Sequence, residues 1–568
     1  MFKHYLSFIS LLLATYFCVS CNNNEKITAF NVDGVSYILQ PGNEVSVWSC
    51  DTLYSDSIMV IPDSVVYEGV TYAVTSIMDN ANFNHWIKGV VIPNSVTYIG
   101  KEAFYRCQNI ESVVIPNSVK TIGEDVFGHC TGLTSVVIPN SVTTIGENAF
   151  WGCSGLKSVV IPNSVTTIGS GAFADCTGLT SIVIPNSVTT IGECAFDGCS
   201  GLTSVVIPNS VTTIGIGAFK ECSGLKSVEI ADGVDCIKMR AFYGCEALAD
   251  IRIPNNIKIG AFAFHNTAWW NSQPDGVVYI DKFLYSYKGK MPRNMSITTK
   301  EGTTQVCEGA FMYCPELASI TIGSSVEYIG GRLFSEGGIV ESIVVDIANT
   351  VYDSRGNCNA IIATATNLLV SGCKNTVIPN SVTAIGDWAF DGCSGLTSVV
   401  IPNSVITIGS GAFSYCSGLT SVVIGYGVTI IGSSAFSRCS GLTSVVIPNS
   451  VTTIGDSAFD GCSGLTSVVI PNSVTTIGDW AFEDCSGLTE LVIGESVSSI
   501  GVAAFWGCTS LNRVTSLIAP DRLYMATGVF CEEELLHCML YVPSGSKEIY
   551  KNKRGWNFFG GIVELRHF

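Results

Sequence analysis

Residues 133–155 read LTSVVIPNSVTTIGENAFWGCSG, and the 568-residue chain repeats this phrase with small changes for most of its length. The cysteine that closes each copy falls at Cys107, Cys130, Cys153, Cys176, Cys199, Cys222 and Cys245. It resumes at Cys393, Cys416, Cys439, Cys462, Cys485 and Cys508, always 23 residues apart. A fixed period of this size predicts stacked turns, each burying its apolar side against the next. The expected fold is a β-rich right-handed solenoid with a parallel β-sheet.

The phrase also predicts how one turn is made. Val136 and Ile138 follow the two-residue period of a strand, with Leu133 ahead of them. Pro139 removes a backbone donor and ends the strand, and Asn140-Ser141 turns the chain. Val142 and Ile145 point inward from a second extended piece. Gly146 permits a corner, and Ala149, Phe150 and Cys153 return to the core. The segment Gly146 to Cys153 admits at most one helical turn. The structural core is therefore assigned to Leu133, Val136, Ile138, Val142, Ile145, Phe150 and Cys153 and their repeats. Ser135, Val137, Thr143 and Thr144 face outward, a stripe with no acid, base or strong nucleophile.

Twenty-four cysteines would ordinarily suggest a disulfide framework in an exported chain. One repeated column instead looks like a packing position, because buried cysteine behaves as a small hydrophobe. Rungs about 4.8 Å apart lie near the short limit for disulfides, and parallel side-chain directions disfavour pairing. Within the repeats no CxxC pair and no histidine cluster suggests a metal.

Sequence variation gathers beside the phenylalanine, where acidic residues and tryptophans share one edge. The candidate binding edge is Trp151, Asp175, Asp197, Trp388, Asp391 and Asp460, continuing through Trp480, Glu483, Asp484 and Trp506. Two readings fit: like charges that keep a regular body soluble and monomeric, or a contact edge for protein or glycan. One acidic residue per rung makes a poor calcium site.

Twenty-nine basic against 47 acidic residues give a net charge of -18, which disfavours nucleic acid and anionic membrane surfaces as partners. Lys3 and the apolar stretch Leu6 to Phe17 read as an export signal over 1–20, too short to span a bilayer durably. A polar tether follows at 21–26, and membrane contact is expected only through an N-terminal lipid.

Segments 27–86 and 512–568 lack the period and are assigned as N- and C-terminal caps. Repeats occupy 87–267, 301–342 and 377–511. The stretch 268–300, with GVVYI and FLYSY, reads as a strand-pair insertion, and 343–376 as an irregular unit. Cys314 to Cys393 spans ten residues more than three periods, which predicts a bulge or altered curvature. About 18–20 rungs are expected. No catalytic residue is assigned: the histidines are scattered, the serines are repeat text, and no phosphate-loop or HExxH motif occurs. The adjacent pair Glu483-Asp484 shows no cleft for glycoside hydrolysis. No cofactor is expected and the chain is read as non-enzymatic.

The recurring LxxVxIPxxVxxIGxxAFxxC resembles the BspA-like bacterial surface leucine-rich repeat family, over about residues 89–511. The resemblance implies a curved leucine-rich repeat stack, exported and often surface-displayed, that binds host or bacterial proteins. Cys18-Val19-Ser20-Cys21 resembles a lipoprotein-processing box, with Cys21 as the lipidated residue and Cys18 where leucine is usual. An outer-membrane lipoprotein adhesin is expected, with a periplasm-facing glycan-binding or scaffolding lipoprotein as the alternative. Asp51-Thr52-Leu53, Asp56-Ser57-Ile58 and Asp456-Ser457-Ala458 resemble short O-glycosylation sites of such bacteria.

Overall fold

The computed structural model describes residues 29–50, 58–83, 87–335, 340–519, 528–531 and 533–565. The export signal, the tether with Cys21, and the first two glycosylation-like triplets apart from Ile58 lie outside the described residues. The chain winds as a β-solenoid of about 21 turns, more than the 18–20 expected. The difference arises because the segments assigned as caps also enter the ladders. It forms two compact units: residues 1–235 with 241–255 and 266–268, and residues 236–240 and 256–265 with 269–568.

In the first unit each turn has three sides. One is the strand Ser135–Val137, paired in parallel with Ser112–Val114 and Ser158–Val160, so that Val136 stands opposite Val159. The ladder starts at Ile58–Val60, which pairs with Gly89–Val91. The second side is the two-residue strand Thr144–Ile145, in register with Thr121–Ile122 and Thr167–Ile168. Pro139 and Gly146 confine both strands to these lengths.

The third side is where the sequence admitted a helical turn, and none forms. The N–H groups of Asn148, Phe150 and Gly152 each donate to the next turn, at the carbonyls of Ser170, Ala172 and Ala174, all at 2.8 Å. The intervening N–H groups of Trp151 and Cys153 bond back to Asn148 and Phe150 within the turn. Alternate donors thus point across and within the chain, a pattern incompatible with a helix but complete for a stack.

Ahead of this ladder, Ala29–Val32, Val35–Gln40 and Glu44–Cys50 form an antiparallel meander, and Glu44–Cys50 pairs in parallel with Val70–Phe83.

The second unit contains the hairpin Gly276–Ile280 with Phe283–Lys288. A short helix, Ala268–Ser272, precedes it. The ten extra residues before Cys393 are absorbed by Tyr352–Asp353, Ala360–Ala363 and Leu368–Gly372, which pair antiparallel. A register shift falls between Ile361 and Ile362. Parallel order resumes when Leu368–Leu369 pairs with Ala384–Ile385, and the ladder runs on to Ser499–Ile500. The other sheet carries through the tail, where Arg513–Ser516, Met539–Val542 and Gly561–Glu564 pair in parallel.

The interior is a stack of like on like. In the first unit Phe104, Phe127, Phe150, Phe173, Phe196, Phe219 and Phe242 form a column with ring centroids 5.1–5.4 Å apart and planes within 10°. Phe390 to Phe505 repeat it in the second unit. Leu133, Val142, Ile145, Phe150 and Cys153 are fully enclosed, and Val136 and Ile138 nearly so.

The cysteine column has a bonding role beyond packing. Cys153 Sγ donates to the carbonyl of Phe127 at 3.1 Å, and Cys176 does so to Phe150 at 3.2 Å. Each such carbonyl already accepts the N–H of the cysteine in its own turn, Cys130 for Phe127. The thiol fills the second lone pair of an oxygen that no ladder reaches. A small, weakly polar donor satisfies it without the solvation demand of a hydroxyl.

Candidate binding surfaces

Two surfaces differ in chemistry. The first is the outer face of the Ser-Val-Val strands. In the first unit Val60, Val91, Val114, Val137, Val160, Val183 and Val206 are all exposed, Val160 to 78%. Exposed serines, Ser112, Ser135, Ser158, Ser181 and Ser204, flank the last five, and the first charges in this column are Glu229 and Arg252. The second unit repeats the face with Val400, Val423, Val446 and Val469, beside Tyr426 at 78% exposure. A groove of about 860 Å³ runs over Val400, Val423, Tyr426 and Pro448.

The second surface is the turn side, which carries the predicted edge. Two positions per turn adopt left-handed backbone, one before Ala-Phe and one before the cysteine. Trp388 has φ 57°, Trp480 φ 54°, Asp175 φ 56° and Asp484 φ 54°. Such angles are unfavourable for side chains with a Cβ. The inter-turn bonds described above hold them in place.

A rule of alternation follows. A side chain in one of these columns lies over the same column of the next turn, which is then commonly glycine. His129 lies over Gly152, Asp175 over Gly198, Trp388 over Gly411 and Asp484 over Gly507; a Cβ on any of these glycines would collide with the overlying group. Sequence reasoning noted variation here but missed its cause. Its signal was legible, since Gly follows the bulky residue 23 positions later.

In the first unit Trp151 and Asp175 meet: Trp151 Nε1 donates to Asp175 Oδ2 at 3.1 Å. His129 packs 4.3 Å from the Trp151 ring. Asp197 is engaged with Lys220 at 3.3 Å, and Lys220 also reaches Glu221 at 3.1 Å. Burial pushes the Asp197 carboxyl up from its ordinary range despite Lys220. Part of this edge is thus internally compensated.

In the second unit Trp388, Asp391 and Asp460 are brought to one cavity of about 470 Å³. Trp388, assigned to the binding edge, is half-buried: the Arg332 guanidinium stacks on it at 3.7 Å. Ser335 Oγ donates to Asp391, and Ser437 Oγ to Asp460 Oδ2 at 3.1 Å. Burial pushes the Asp460 carboxyl up, and Glu483 rises through burial and the neighbouring charges of Asp460 and Asp484. Trp480, Glu483, Asp484 and Trp506 occupy the next turns, with Trp480 43% and Trp506 44% exposed and Asp484 N donating to Trp506 O at 2.8 Å.

Sequence reasoning missed Arg240, Phe262, Tyr313, Arg332, Tyr415 and Arg438, which line the same cavity. His265, scattered in sequence, is half-buried, packed against Trp270 at 4.0 Å and bonded to the Tyr285 hydroxyl at 3.0 Å. Burial pulls its pKa down to about 4. It is neutral near pH 7 and lines the wall of an open cavity. Among the described residues, no cluster of three His, Cys, Asp or Glu is placed to hold a metal, and no helix is long and apolar enough to cross a membrane.

Parallel short strands, a stacked phenylalanine interior and a 23-residue turn define a leucine-rich repeat solenoid, a class typically of non-catalytic binding scaffolds. The BspA type leucine-rich repeat region, a six-copy pattern, matches residues 75–203, 166–288, 278–358, 370–489 and 429–552. The chain belongs to that family. Its members are cell-surface proteins, consistent with a place in the envelope.

Solved structures give partial likenesses. A leucine-rich repeat protein of Bacteroides ovatus is 25% identical over 86% of this chain and 94% of its own, with TM-score 0.37. A leucine-rich cell surface protein of Faecalibacterium prausnitzii is 25% identical over 88% and 97%, with TM-score 0.29. The leucine-rich repeat protein of T. pallidum is 25% identical over 43% and 90%, with TM-score 0.26. At such TM-scores these likenesses add nothing to the family match. No curated protein matches the chain.

Proposed function

We propose that this chain is a non-enzymatic surface adhesin, anchored to the outer membrane through lipidated Cys21 and engaging an extracellular protein or glycan. The observation that carries the reading is the valine stripe. Seven successive turns of the first unit expose a β-branched apolar side chain with no charge among them. A contiguous apolar strip of this kind is unfavourable in water and marks an interaction surface. The net charge of -18 offsets the resulting tendency to self-associate. The sheet face suits a protein contact, because it offers shape and apolar area with few directional polar groups. The acidic and aromatic turn edge flanks it.

The test is in two parts. Protease shaving of intact cells is expected to degrade the chain; protection would refute surface display and favour the periplasm-facing alternative. Val137→Lys with Val183→Lys, two turns apart so that the new charges do not stack, is expected to leave thermal stability within about 0.5 kcal/mol of the parent while abolishing capture of extracellular matrix proteins. Unchanged capture would remove the sheet face from the reading.

A further inference from the structure

We propose that the second unit carries a distinct binding site for a carboxylate-bearing sugar, in the cavity beneath Arg332 and its neighbour. This goes beyond the sheet face and stands whether or not that face binds a protein. The cavity of about 470 Å³ is lined by three arginines, Arg240, Arg332 and Arg438. A second cavity of about 890 Å³ shares the Phe262, Met312 and Tyr313 wall and adds Lys288, Lys290 and Arg293. Three cations in each make six, Lys288 being held by the carbonyls of Trp270, Asn271 and Gln273, against the lining carboxylates Glu316, Asp391 and Asp460, with Glu308 facing Arg332 and Glu483 facing Arg438 from outside the lining. The whole chain has 29 basic residues to 47 acidic, so this groove reverses the balance of the molecule.

The lining argues for an acidic sugar over a simple anion. Arginine forks match the planar geometry of a carboxylate and bind it through paired hydrogen bonds. Tyr313 and Tyr415 are 54% and 53% exposed, and their flat apolar faces suit the C–H face of a pyranose ring. Asp391 and Asp460, oriented by Ser335 and Ser437, can accept hydrogen bonds from sugar hydroxyls. A phosphate has no such hydroxyl array to give and would meet both carboxylates as like charges. The volume is that of a small-ligand site.

The site is also preorganised. Trp388 lies between Gly411 on one side and the Arg332 guanidinium at 3.7 Å on the other. That stacking fixes the guanidinium before any ligand arrives, which reduces the ordering cost of binding. Arg438 lies 5.9 Å from the Tyr415 ring centroid, beside the Asp460 carboxylate. The three arginines come from turns up to 198 positions apart in sequence (Arg240 to Arg438), brought together where the regular period is interrupted.

Calorimetry on the full chain with trigalacturonate, N-acetylneuraminic acid, trigalacturonate methyl ester and inorganic phosphate tests the proposal. At least one acidic sugar is expected to bind about tenfold or more tightly than the ester. Arg332→Gln, Arg438→Gln and Tyr415→Ala are each expected to weaken it about tenfold with the melting temperature retained. A variant that melts early is replaced by Arg240→Gln, whose side chain is exposed and which is expected to lower affinity in the same direction. Equal binding of ester and acid overturns the carboxylate assignment. Phosphate binding as tight as the sugar, or indifference to Tyr415→Ala, overturns the sugar assignment. No binding by any acidic sugar overturns the proposal.

Discussion

Raising the pH above 9 is expected to unfold the first unit through its cysteine column. Burial pushes the thiols of Cys107, Cys153 and Cys199 up to about 12, from 9.0. Burial also pushes the Cys130 and Cys176 thiols well above their ordinary value. Below pH 9 these thiols are protonated in both folded and unfolded chains, and their contribution is fully present. Between 9 and about 12 the unfolded chain ionises and the native chain cannot, so stability falls across that window. At pH 10 each thiol shifted to about 12 removes about 1.4 kcal/mol. The three together remove about 4 kcal/mol, a large share of the 5–15 kcal/mol typical of a domain.

Circular dichroism melts between pH 7 and pH 10.5 check this, with thiolate absorbance followed on the same samples. The melting temperature is expected to be flat up to about pH 8.5 and to decline steadily above 9. Thiolate absorbance should rise only as structure is lost. The triple variant Cys153→Ala, Cys176→Ala, Cys199→Ala starts less stable but declines less steeply. A melting temperature unchanged from pH 8 to 10.5, or thiolates titrating near 9 in a folded chain, would refute the assignment of these groups to a sealed interior.

Phe459→Ala, removed from between rings 5.3 and 5.0 Å away, is expected to cost about 3–5 kcal/mol in urea unfolding. Gly411→Ala forces a Cβ into the Trp388 ring at φ 58° and is expected to cost about 2 kcal/mol. Gly331→Ala, with open space around it, serves as its near-neutral control in the same melts. Cys153→Ser shortens the donor to the Phe127 carbonyl and buries a more polar group, for a loss of about 1–3 kcal/mol. Thr166→Val removes an exposed hydroxyl bond to the Thr143 carbonyl and should change stability by less than about 0.5 kcal/mol.

The stack was legible because every turn repeats the same physical decisions. Val136 and Ile138 alternate, Pro139 stops the strand, and Phe150 recurs at a fixed interval, so local and global signals agree. The third side was not legible from periodicity. Its backbone alternates between bonds across turns and bonds within them, and no hydropathy pattern encodes that choice. The glycine alternation did encode it, in pairs such as Asp175 with Gly198. The role of the thiol was half legible: burial followed from the column, whereas the Phe127 carbonyl it satisfies depends on the backbone path. The groove of the second unit was beyond reach. Arg240, Arg332 and Arg438 occupy variable turn positions that elsewhere most often hold Gly or an acidic or polar residue, and only the broken register near 268–300 and 343–376 brings them together.

The same construction explains why chemistry collects on one side of each turn. On the two strand sides, side chains must repeat in register with neighbours about 4.8 Å away, which favours small or β-branched residues and disfavours stacked like charges. Val160 and Thr166 are what such ladders tolerate. On the turn side, a large group in one turn is accommodated by glycine in the next, as Trp388 is by Gly411. Spacing between large side chains then doubles to about 9.6 Å, wide enough for aromatic rings and opposite charges to interleave. Specificity can therefore change there one residue at a time without disturbing the ladders. The sheet face supplies constant apolar area, and the turn side supplies the variable recognition chemistry.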